Sequence, residues 1–145
     1  LRVLLSILAS LAFFLGAAAP ASAQPPGSVV VRLENVRSSQ GHVRVELCTS
    51  GTFLTDNCIF GGEAPAHEGE TIVTLTDVPP GVYAVQAFHD ENDDHKVNRG
   101  LFGIPREDIG FSRDAPLGLH GPKFTKAAFN HIADDQFVTI RLRRF

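Results

Sequence analysis

The sequence predicts an all-β chain: a single antiparallel β-sandwich, prealbumin- or immunoglobulin-like, with one long irregular loop. Three observations predict it. Apolar and polar residues alternate with period two over several short segments, the pattern of strands with one face on a core. Gly, Pro, Asn, Asp and Ser cluster between those segments, supplying turn chemistry. Beyond the first two dozen residues no stretch carries a convincing amphipathic helix, which leaves sheet-on-sheet packing.

Residues 1–23 read as a targeting segment. Arg2 gives a short positive start, positions 3–15 an apolar run broken only by Ser6 and Ser10, and Ala21-Ser22-Ala23 a small-x-small cleavage pattern. The apolar run is short for the ~20 residues of a spanning helix, so no membrane span is expected once the leader is removed. The expected organisation is a signal peptide over 1–23 and one domain over 24–145, exported to the periplasm or beyond. Arg2 is the one charged residue in the leader, so sixteen acids face twelve bases in the remainder, a formal charge of −4. No basic patch of the size nucleic acid demands is present; Arg141, Arg143 and Arg144 form only a short terminal cluster.

The first strand is expected over 28–36, with Val29, Val31 and Leu33 inward and Arg32 and Glu34 outward. A second over 41–48 turns Val43, Val45 and Leu47 inward, and "VRSSQG" between the two predicts that they pair as a hairpin. The outward charges exclude a lipid-facing barrel. Strands over 70–78 and 81–89 flank the Pro79-Pro80-Gly81 turn. Tyr83, the sole tyrosine, stands where a corner tyrosine caps a loop backbone, or is simply packed. A last hairpin is expected from 126–132 and 136–144 around Ala133-Asp134-Asp135.

Two features depart from a plain sandwich. Cys48 and Cys58 are the only cysteines; in an oxidising compartment such a pair is a disulfide, stabilising by roughly 2.5–3 kcal/mol through loop closure. Residues 90–123 lack periodicity and far exceed the ~12–15 residues usual for a structureless loop. Leu101, Phe102, Ile104, Ile109 and Phe111 are too apolar for a solvated excursion, so they are expected to fold back over one end or edge of the sandwich.

"PPGVYAVQAFHDENDDHKVN", "GIPREDIGFS" and "FTKAAF" together resemble the uncharacterised bacterial family called domain of unknown function 2141, over about 29–143. The resemblance implies a small exported sandwich and no established activity. "VPPGVYAV" also resembles the turn and strand of prealbumin-like sandwiches. Against a family loop of the form D-x-N-x-N-G-x-x-D, this chain has Asp94 for the second asparagine, His95 for the glycine and Asn98 for the final aspartate.

The same loop, "HDENDDHKVN", is the candidate site. On the calcium-loop template Asp90, Asn92 and Asp94 fall at positions 1, 3 and 5, the Lys96 carbonyl at 7 and Asn98 at 9. Hard Ca²⁺ takes six to eight oxygens, which suits short alternating carboxylates and amides. Position 6 carries His95 where glycine serves the sharp turn, and position 12 carries Leu101 where a bidentate Glu belongs. Glu107 or Asp108, brought back by the excursion, are the available replacements. Two formal ligand charges imply millimolar-class affinity. The alternative is a set of Asx-turns capping the strand with no metal.

His89 shares strand parity with Tyr83, Val85 and Ala87, which makes it a core-facing histidine that orders the loop through a carbonyl. A transition-metal site with His95 or His120 lacks close ligand spacing. "GFSRD" around Ser112 lacks the final glycine of a nucleophile elbow. No catalytic residue and no cofactor beyond calcium is assigned. The function expected is a non-catalytic envelope or secreted module binding an unidentified ligand. The alternative is a hydrolase using His89 and carboxylates of the long loop. A pocket joining His89 to Glu107, Asp108 or His120 would favour catalysis, and a convex apolar patch would favour binding.

Overall fold

The computed structural model describes residues 25–118 and 120–144; the leader expected over 1–23 lies outside the described residues. Among the described residues there are eight strands: β1 (Gly27–Val36), β2 (His42–Cys48), β3 (Phe60–Pro65), β4 (Gly69–Val78), β5 (Gly81–Asp90), β6 (Ile109–Phe111), β7 (Phe129–His131) and β8 (Gln136–Arg141). A one-turn helix, α1 (Phe124–Ala127), precedes β7. The strands form a sandwich of two sheets. One has the order β4-β1-β8; the other has the order β3-β2-β5-β6, with β7 on the same side of β5 as a separate short partner. Among the described residues, no helix is long and apolar enough to cross a membrane.

The period-two faces fall as the alternation predicts. Val29, Val31 and Leu33 meet Val43, Val45 and Leu47 across a core completed by Val73, Leu75, Val85, Val138, Ile140 and Leu142. The two expected hairpins are not formed. β1 and β2 do not pair as a hairpin: β1 lies between β4 and β8, while β2 lies between β3 and β5. The last two strands likewise separate, with β7 on β5 and β8 on β1. Alternation states which face is buried and not which strand lies alongside. A chain that crosses to the opposite sheet puts two apolar faces against each other, and these turns do so. The β1–β8 pair is parallel, the exception in a set of antiparallel pairings.

β3 carries almost no sequence signal, because Gly61 and Gly62 interrupt any alternation. Gly62 is needed for close approach: a Cβ there would stand 2.7 Å from Leu75 Cδ2 and 3.2 Å from Val73 Cγ1. The Cys48–Cys58 disulfide, S–S 2.09 Å, joins the end of β2 to the loop before β3. Tyr83 donates its hydroxyl to the Pro79 carbonyl at 3.0 Å, tying the start of β5 to the preceding turn.

The excursion covers the sandwich in its second half only. Phe111 is 6% exposed and clusters with Ala84, Ala115 and Ala127 on the outer face of β5, its ring edge-on to Phe53 at 5.7 Å. Leu101, Phe102 and Ile104 do not fold back; Phe102 is 92% exposed and Leu101 78%. Backbone hydrogen bonds from Gly100 to Ile104 and from Arg106 to Asn98 close residues 98–106 on themselves, so the segment stands out as a closed finger without a core beneath it.

Candidate metal centre

β5 ends at Asp90, whose side chain faces outward and is nevertheless fully buried. The register that places Arg44 opposite Phe88 brings its guanidinium alongside, and Nε donates to Asp90 Oδ2 at 2.5 Å. The chain then turns sharply. Asp90 Oδ1 accepts the Asp94 N–H at 3.2 Å and Oδ2 the His95 N–H at 3.0 Å. His95 takes φ +64°, the left-handed conformation that glycine would supply at this template position. Gly41 makes room for the turn, since a Cβ at its φ of +65° would lie 2.0 Å from the Asp90 carbonyl oxygen.

Glu107 completes the arrangement. It returns from the far side of the finger, largely buried, and places a carboxylate oxygen within 4.8 Å of oxygens from Asp90 and Asp94. Asn98 sits among them. Its N–H donates to Glu107 Oε2 at 3.0 Å, and its Nδ2 reaches Asp94 Oδ2 at 2.9 Å, Glu107 Oε1 at 3.2 Å and Asn92 Oδ1 at 3.5 Å. Asn92 Nδ2 also donates to Asp94 Oδ2 at 3.1 Å. Lys96 enters through its N–H, given to Asp94 Oδ1 at 3.0 Å, as in an Asx-turn. Asp108 does not join the cluster. It is buried against Arg144, whose Nε donates to Oδ1 at 3.0 Å, and forms an ion pair with Arg37.

The electrostatics are those of crowded carboxylates. Burial raises the Glu107 pKa, the charges of Asp90 and Asp94 raise it further, and the bonds from Asn98 oppose both. Asp94 is shifted down, chiefly by the Asn98 amide. Three carboxylates and two amide side chains form the oxygen-rich set a hard divalent cation selects. Asn98 would turn its amide oxygen inward, a reversal of two nearly isosteric groups.

A family described as uncharacterized protein conserved in bacteria (DUF2141) matches residues 31–139. The chain belongs to that family. The match runs from β1 to β8 and includes the whole carboxylate cluster. No curated protein matches this DUF2141 chain. Two solved structures of a pilus-presented adhesin (Cpa) align with it at a TM-score of 0.26, with 16% and 12% identity. They cover 82% and 81% of this chain and 27% and 26% of the adhesin chains, so it spans about a quarter of their length.

The other candidate residues of the DUF2141 chain lie apart from the cluster. His89 is 0% exposed. Its ring Nε2 is 2.8 Å from the Gln40 carbonyl oxygen, so its side chain anchors the β1–β2 connection; its backbone N–H meets the Asp108 carbonyl at 2.9 Å. Among the described residues, the converging metal-ligand group contains neither His89, His95 nor His120. Ser112 is a structural splice. Its buried Oγ accepts the Val85 N–H at 2.9 Å and donates to the Ala127 carbonyl at 2.6 Å, bridging the gap along β5 between β6 and β7. Among the described residues, a surface depression of about 270 Å³ is bordered by Ser112 and one of about 370 Å³ by Arg44 and His95, and neither includes His89 or Glu107. Arg44, which holds Asp90, carries no sequence signal beyond its place on an outward face.

Proposed function

We propose that this DUF2141 chain is an exported, non-catalytic recognition module whose long excursion is the binding surface and is ordered at its root by calcium. Asp90, Asn92, Asp94, Asn98 and Glu107 are the ligating side chains, with the Lys96 carbonyl as a further oxygen of the loop. The observation that carries the reading is the return of Glu107 to Asp90 and Asp94, which supplies the carboxylate missing from position 12. Three formal charges bind calcium more tightly than the two counted along the loop, while Arg44 competes for Asp90. The Cys48–Cys58 disulfide agrees with an oxidising compartment. A fully buried His89 and a convex, exposed finger favour recognition over hydrolysis.

Calorimetric titration of metal-free protein with calcium tests the metal site. A saturable, single-site heat is expected for the wild type and its loss for Glu107→Gln. Absence of saturable binding in the wild type overturns the reading.

A further inference from the structure

The finger over 98–106 is built to present its tip. Its legs are joined by an isolated bridge between Arg99 and Pro105. The Arg106 N–H bonds to the Asn98 carbonyl at 2.7 Å, and the Gly100 N–H to the Ile104 carbonyl at 2.7 Å. At the tip Phe102 adopts φ +60° and ψ +19°, a left-handed conformation that a bulky aromatic rarely takes. The closed backbone of the legs holds it there, with the ring in solvent. Leu101 and Ile104 are exposed beside it. Such contiguous apolar exposure marks an interaction surface.

The collar around that tip is cationic. Arg99 and Arg106 are both exposed there, in a chain whose net charge is −3, and the Arg106 side chain lies against Gly100, where a Cβ would stand 3.2 Å from its Nε. Arg99 is drawn toward the tip by a 3.0 Å bond from Nη1 to the Gly103 carbonyl. We propose that the finger docks on an anionic lipid surface. Leu101, Phe102 and Ile104 enter the boundary between headgroups and acyl chains, and Arg99 and Arg106 lie on the headgroups. A convex tip of three side chains is far smaller than the ~800 Å² per partner of a stable protein interface. It suits a deformable surface into which apolar groups sink. The cationic collar is complementary to anionic headgroups, although the molecule as a whole would be repelled.

This deepens the reading of the excursion as the recognition surface and does not require the cation. The test is co-sedimentation with vesicles of phosphatidylcholine alone and of phosphatidylcholine with phosphatidylglycerol, in EDTA and in calcium. All proteins carry the same N-terminus, so differences between variants isolate the finger. Wild type is expected to pellet with the phosphatidylglycerol vesicles and to remain largely in solution with phosphatidylcholine. Phe102→Ala should lower partitioning about tenfold or more, and Arg99→Gln or Arg106→Gln about fivefold each. Melting temperatures should stay unchanged, because these side chains are exposed. Phe102→Asp binding as tightly as wild type, or wild type indifferent to phosphatidylglycerol, overturns the proposal. So does a Phe102-dependent dimer without vesicle binding, which would make a second copy the partner. Lost vesicle binding with an intact calcium titration removes the lipid proposal alone.

Discussion

His95 holds a left-handed backbone in the loop, where a side chain costs roughly 1–2 kcal/mol relative to the ordinary helical region. Glycine has no such penalty and a larger entropy loss on folding. His95→Gly is therefore expected to stabilise metal-free protein by about 0.5–1 kcal/mol, read from urea unfolding. Glu107 makes a second prediction, about pH. Its folded-state pKa is raised above an ordinary value of 4.5, so the folded protein holds that proton more tightly than the unfolded chain. The associated stability is complete below about pH 4.5 and is lost as pH rises through the folded value. Asp94 acts oppositely, its contribution present above 3.8 and lost as pH falls below it. In EDTA, stability should decline above pH 4.5, and Glu107→Gln should flatten that decline. Unfolding curves at several pH values check both directions.

At the scale of elements, the excursion divides at Asp108 into an exposed finger and a covering segment. Phe111→Ala should cost about 3–5 kcal/mol, as for a buried aromatic. Phe102→Ala should stay within about 0.5 kcal/mol. Equal costs would mean that the two halves are not distinct. Strand faces were legible because the two-residue period is local; Val29, Val31 and Leu33 needed no partner to declare their side. Partnership was not legible. The turns 37–41 and 132–135 carry ordinary hairpin chemistry and yet cross between sheets, because closing the sandwich buries both apolar faces. The glycine-interrupted β3 was invisible for want of side chains to alternate. Phe102 misled because apolar character suggests burial, while its surroundings leave it in solvent.

For the whole molecule, the cluster ties together parts of the chain that are distant in sequence. Arg44 on β2 holds Asp90 on β5, Asn98 joins Glu107 at the root of the finger, and Asp108 next to it binds Arg144 and Arg37. The sequence exposed the candidate ligands of the loop because their spacing is local. It exposed Glu107 only as one of two substitutes, since the choice between Glu107 and Asp108 depends on which face of the returning chain meets β5. A cation bound here adds to the stability of the entire fold, because it binds the native arrangement and not the unfolded chain. Magnesium should add less, since it demands a tighter octahedron and retains its waters.

Melting curves in EDTA and in excess calcium test the central claim most directly, measured for wild type and Glu107→Gln. At about a hundred times the dissociation constant, calcium should stabilise the wild type by about 2.7 kcal/mol. The corresponding rise in melting temperature is several degrees, and Glu107→Gln should lose it. Coincident wild-type curves would contradict a metal centre and leave Asp90, Asp94 and Glu107 as a hydrogen-bonded turn closed by the Asn98 amide.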